Sequence, residues 1–169
     1  MLFAPSVVHF LSRVFLVKLS AASTICPAMP ELLLNATATA EWVVRASDLA
    51  SSLPSDPRDV FPPVFATPRL AALMELASAR LLQPVLGPGE LSVGISLDLV
   101  HTAATLEGAR VTATARYVGR EGSAYILKVT ASDPAGEIGR ATHKRAIVSV
   151  DRLLAGAKKR AGTPLSTPA

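Results

Sequence analysis

Phe61-Pro-Pro-Val-Phe-Ala-Thr-Pro-Arg-Leu-Ala-Ala-Leu-Met-Glu75 decides the fold. The Thr67-Pro68 step before an apolar run is a helix start, with threonine as N-cap and proline at the first helical position, where its missing N–H leaves nothing unpaired. The helix runs to about residue 82. Leu70, Leu73, Met74, Ala77 and Leu81 fall in one stripe at helical spacing, while Ala71, Ala72 and Ala79 make the other faces small instead of charged. Such a helix is buried nearly all round and must be wrapped by the rest of the chain. Its polar residues are Arg69, Glu75, Ser78 and Arg80, and at roughly 100° per residue the two arginines share a face well away from Glu75. Glu75 therefore projects among alanines, where a carboxylate needs a partner or an altered pKa.

What wraps the helix reads as strands. A first short strand spans 38–44 and carries Trp42, and the Ser-, Pro- and Asp-rich segment 51–63 is loop. After the helix, Gly87-Pro-Gly-Glu90 makes a turn, with neither the preceding strand nor the Gly-Lys-Ser/Thr of a phosphate-binding loop. Val93, Ile95, Leu97 and Leu99 then alternate with Ser92, Gly94, Ser96 and Asp98, which gives His101 the parity of the apolar set and points it at the helix. Val111, Ala113, Ala115 and Tyr117 alternate next, then Tyr125, Leu127, Val129 and Ala131, with hairpins at Gly119-Arg-Glu-Gly122 and Asp133-Pro-Ala-Gly136. A final strand over 137–150 leads to a short helix capped by Asp151 and ending at Lys158-Lys-Arg160. One helix after the first strand, followed by four antiparallel strands, is an α+β domain whose sheet curls around the helix.

The 169 residues suit one domain, with half of them hydrophobic and 18% charged. The charge of +4 raises nucleic acid as a partner, but aromatics make up only 5% and the basic residues are scattered, so that partner is excluded; an anionic small ligand fits as well. Cys26 is the single cysteine, so no internal disulfide forms, and no Cys/His spacing suggests a metal. Residues 1–30 form an N-terminal extension, a leader or targeting segment, with Met29 as the functional start; 31–155 form the domain; 156–169 form a basic, flexible tail. Arg13 and Lys18 interrupt the leading apolar run too early for a membrane span. The location expected is cytoplasmic, or mitochondrial if 1–28 act as a presequence.

Thr67, Glu75 and His101 are a hydroxyl, a carboxylate and an imidazole, the parts of an acid/base or nucleophilic site. Each also has an ordinary reading: an N-cap, an interface ion pair and a satisfied strand-end histidine. His143 reads as structural, Arg145 as a phosphate contact or a surface charge, and Phe61 as core.

Phe65-Ala-Thr67 with Leu73-Met-Glu75, the Ser92-Val-Gly94 segment leading to His101-Thr-Ala-Ala-Thr105, and Gly139-Arg-Ala-Thr-His-Lys-Arg145 together resemble the fluoroacetyl-CoA thioesterase-like branch of the hotdog-fold thioesterases. The resemblance covers about 42–153. It implies a hotdog fold and hydrolysis of a short or small acyl-CoA thioester, with no cofactor beyond the CoA of the substrate. It places Thr67, Glu75 and His101 at the catalytic positions, Gly94 and Arg145 near the substrate, and Phe61 at the mouth of the acyl pocket. Pro68-Arg69 is bulkier than that family's pattern, and Arg58 stands where an aromatic is expected, so the resemblance carries the reaction class and not the fluorinated substrate. The N–H groups after Pro68 are the expected donors to a thioester oxyanion. A homodimer is expected as well, because the helix leaves a small-residue face around Glu75 and the sheet leaves open edges. Competing readings are a non-catalytic acyl or lipid carrier with the same cavity, and a hotdog hydratase, whose Asp-x-Asn-Pro-x-x-x-His arrangement is missing. A serine hydrolase would need a Gly-x-Ser-x-Gly elbow, which is also missing.

Overall fold

The computed structural model describes residues 31–162; the leader, Cys26 and Met29 lie outside them, as do 163–169. Its strands are β1 (Thr37–Val43), β2 (Glu90–His101), β3 (Arg110–Glu121), β4 (Ala124–Asp133) and β5 (Gly136–Ser149), and its helices α1 (Thr67–Leu82) and α2 (Val150–Ala161). The strands form one sheet in the order β1-β3-β4-β5-β2, antiparallel throughout, with α1 against its inner face. The α+β architecture is the one expected.

The core lies between α1 and that inner face. Leu70, Leu73, Met74, Ala77 and Leu81 meet Val111, Ala113 and Ala115 of β3 and Leu127, Val129 and Ala131 of β4, all buried. Ser78 is sealed among them and its hydroxyl donates to the Met74 carbonyl one turn back, at 2.8 Å, so its burial leaves nothing unsatisfied.

Three local expectations are corrected. Ala66, with an extended backbone, takes the cap position and Thr67 is the first helical residue; no side chain caps the helix, because alanine has no acceptor, and the threonine hydroxyl meets His101 instead. On β2, a bulge between Gly94 and Ser96 inserts an extra residue, and one extra residue exchanges the faces of a strand. Past the bulge Leu97, Leu99 and His101 pair with the inward-facing His143, Ala141 and Gly139; before it Ser92 and Gly94 pair with Ile147 and Arg145. Val93 and Ile95 are thereby turned away from the helix, and Ile95 is 57% exposed. Finally, Ser149 caps α2 by accepting from the Arg152 N–H, leaving Asp151 in the first turn. That helix has no buried residue and carries the first six residues of the expected tail.

The approach to α1 is tied to the end of β2. Phe65 N–H donates to the Thr105 carbonyl at 2.8 Å, Ala66 N–H to the Asp48 carbonyl at 2.9 Å, and the buried Thr105 hydroxyl to Asp133 at 2.9 Å. These bonds fix Thr67 against the strand end at His101.

Candidate active site

Six residues singled out in the sequence fall into two clusters and one neighbour. At the start of α1, Thr67 Oγ1 lies 3.0 Å from His101 Nδ1. The pair opens onto a cleft of about 380 Å³ whose walls include Pro62, Val64, Phe65, Ala103 and Ala104, small and apolar apart from the backbone. Phe61, next to the lining residue Pro62, is half-exposed. Arg58 turns away to an ion pair with Asp56 in its own loop. Burial holds the His101 imidazole below its ordinary range, partly offset by the Ala103 backbone, so at neutral pH the ring is uncharged and able to accept a proton. Nδ1 faces the hydroxyl, and Nε2 is buried.

The N–H groups expected to meet an oxyanion are engaged within the helix start. Arg69 and Leu70 N–H both donate to the Ala66 carbonyl at 2.9 Å, and Pro68 has no N–H. Thr67 retains its own N–H, at the positive end of the helix and beside the hydroxyl.

The second cluster is built around Glu75. Arg145, 4% exposed, donates from Nη1 to Glu75 Oε2, from Nη2 to the Ser92 carbonyl at 2.7 Å and from Nε to the Ser92 hydroxyl at 3.2 Å. His143 Nε2 stands 3.1 Å from Glu75 Oε1. Gly94 makes room for this: a Cβ there would lie 2.3 Å from Oε1. Glu75 thus has the cationic partner its alanine-rich surroundings demanded, and Arg145 is enclosed by that contact. His143 escaped the sequence reading as a site residue, although its parity with Arg145 on one strand was the signal that could have found it.

The two clusters do not meet within the chain. Glu75 is eight residues along the helix from Thr67, roughly 12 Å of rise, and Gly94 is seven residues of strand from His101, about 20 Å. No three His, Cys, Asp or Glu residues are grouped to hold a metal ion among the described residues. A larger cleft of about 470 Å³ beside Trp42, Arg45 and Arg69 holds no imidazole.

The family described as fluoroacetyl-CoA-specific thioesterase matches residues 44–151. A fluoroacetyl-CoA thioesterase from Streptantibioticus cattleyicolor is 43% identical over 104 residues, 62% of this chain and 73% of that protein. A solved structure of a fluoroacetyl-CoA thioesterase, 37% identical, superposes with a TM-score of 0.72 across 80% of this chain and 100% of its own. A thioesterase superfamily member from Thermus thermophilus, 28% identical, gives 0.70 across 78% and 97%. A hot-dog-like protein from Thermanaerovibrio acidaminovorans, 23% identical, gives 0.67 across 78% and 94%, a likeness of fold. The sheet curled around α1 is the hotdog fold.

Proposed function

The chain belongs to the fluoroacetyl-CoA-specific thioesterase family and is a thioester hydrolase acting on acyl-CoA, and we propose that it works through Thr67 and His101 of one protomer and Glu75 of a second. The observation that carries this is the 3.0 Å approach of the Thr67 hydroxyl to an uncharged imidazole at a helix start.

His101 Nδ1 takes the Thr67 proton as Oγ1 attacks the thioester carbonyl carbon. The developing oxyanion sits at the Thr67 N–H and the positive end of α1. As the carbon–sulfur bond breaks, the imidazolium returns its proton to the departing CoA thiolate, and a water activated by the same ring then hydrolyses the threonine ester. The imidazolium formed on the way is stabilised by a carboxylate close to the site, as in hydroxyl–imidazole–carboxylate triads generally. Within the protomer Glu75 is two helical turns away, with its side chain 42% exposed. A two-fold partner laid along the small-residue face of α1 brings the partner subunit's Glu75 to the open end of the site. We therefore read the enzyme as a homodimer with composite sites.

The small apolar cleft suits a short acyl group, and Arg58, exposed and held by Asp56, adds no wall to it. Thiol release measured with Ellman's reagent across acetyl-, fluoroacetyl-, branched and aromatic acyl-CoAs tests the reading. Turnover falling with acyl size supports it; no turnover of any member, with CoA esters bound all the same, points to a carrier. No helix is long and apolar enough to cross a membrane among the described residues. The reading places the enzyme in the cytoplasm, or in mitochondria if 1–28 act as a presequence.

A further inference from the structure

His143 takes no part in the steps above, yet its place is an unusual one for an imidazole. It is wholly buried on β5, with Leu127 of β4 and Leu97 of β2 as its register partners. An apolar side chain would fill that place without desolvating two ring nitrogens, neither of which has an in-line hydrogen-bond partner within the protomer. What the ring does have is the carboxylate of Glu75, its Nε2 3.1 Å from Oε1.

We propose that His143 is a positioning residue for Glu75: from one strand, the imidazole and the Arg145 guanidinium hold the two oxygens of the carboxylate in the gap that Gly94 leaves. The inference rests on Glu75 taking part in thioester hydrolysis. Oε2 is given to Arg145, and Oε1 is left facing the ring. A side chain with three rotatable bonds and nearly half its surface in solvent swings about a single anchor, whereas two anchors fix its plane. Gly94 is the third element, since a Cβ there would stand 2.3 Å from Oε1 and 3.1 Å from His143 Nε2. Burial holds the ring below the ordinary imidazole range, with Glu75 pulling it up and Arg145 pushing it down. An uncharged ring gives Oε1 a neutral contact at Nε2, off the line of a hydrogen bond, which bounds the carboxylate on that side without competing with Arg145 for its charge.

The test uses the full chain with His143→Leu, His143→Gln and His143→Asn, each alone and combined with Glu75→Gln, read as kcat and KM for acetyl-CoA beside melting temperature. A glutamine amide nitrogen reaches about where Nε2 is; an asparagine stops short of it. His143→Leu is expected to lower kcat by roughly 10- to 100-fold, the range for a reacting group displaced by about an ångström, with KM within about threefold and melting temperature unchanged or higher. His143→Gln is expected to recover most of kcat and His143→Asn not, and neither adds a loss to Glu75→Gln. Should His143→Leu fail to fold, the split between the Gln and Asn variants decides. Wild-type kcat in His143→Leu beside an impaired Glu75→Gln overturns the positioning role alone, as do equal losses in the Gln and Asn variants. Wild-type kcat in Glu75→Gln overturns the role of Glu75 and the positioning with it.

Discussion

Gly94→Ala adds one carbon to the chain, and the structure says where it goes. The backbone there lies outside the left-handed region, so alanine adopts it without strain, and the whole effect comes from the Cβ. That atom stands 2.3 Å from Glu75 Oε1, against 3.4 Å for ordinary contact, so something must yield by about an ångström. His143, 3.1 Å away and sealed between strands, has little room to move, whereas the carboxylate is the end of a flexible, half-exposed side chain. Glu75 therefore retreats and weakens its bond to Arg145. A hydrogen bond to a charged group contributes roughly 1.5–3 kcal/mol, and discounting for the solvent around Glu75 leaves about 1–2 kcal/mol. In a chain of this size that lowers the melting temperature by roughly 2–8 °C. Activity responds more strongly, because an ångström of misplacement costs up to about a hundredfold in rate. Thiol release with Ellman's reagent should show kcat/KM down about 30- to 100-fold, close to the effect of Glu75→Gln, and combining the two changes should add little. Gly94→Ala with wild-type turnover and melting temperature would refute the reasoning.

Two further outcomes follow from the Thr67–His101 pair. Thr67→Ser should keep activity within about tenfold, because the hydroxyl persists, while Thr67→Ala and His101→Ala should each lose roughly a hundredfold or more; equal activity in the Ser and Ala variants means that water, not Thr67, is the nucleophile. The reactive form of His101 is uncharged and burial lowers its pKa, so kcat/KM should fall on the acid side as the ring protonates, as measured in a pH–rate profile. Stability follows the same sign. His101 and His143 are both depressed on folding, so the unfolded chain binds more protons below pH 6.5, and stability is lost as pH falls through their folded values. A melting temperature that rises on acidification from pH 7 to 5.5 would contradict this.

The helix and the sheet order of events were legible because they follow from periodicity: the stripe from Leu70 to Leu81 and the alternation in β3 and β4 needed no distant information. The bulge in β2 was not. Gly94 in an alternating run gives the same local pattern whether the strand is regular or carries an extra residue, and only the pairing with Arg145 and Lys144 of β5 decides it. Glu75 announced that it needed a partner, but Arg145 is 70 residues away and reaches it through the register of β5 against β2. Thr67 read as a cap because threonine before proline usually is one; its hydroxyl was diverted by an imidazole 34 residues on. The amides after Pro68 looked available until the Ala66 carbonyl was seen to accept from both.

The central claim is that Thr67 and His101 of one chain act with the carboxylate of another, and subunit mixing tests it most directly. Glu75→Gln and His101→Ala proteins, each nearly inactive alone, are mixed in equal amounts, allowed to exchange subunits, and assayed for acyl-CoA hydrolysis. Random pairing makes about half the dimers mixed, and in each of these one composite site has His101 from one chain and Glu75 from the other, so about a quarter of wild-type activity should return. If exchange is complete and activity stays at the level of the two parents, the partner subunit's Glu75 does not complete the site.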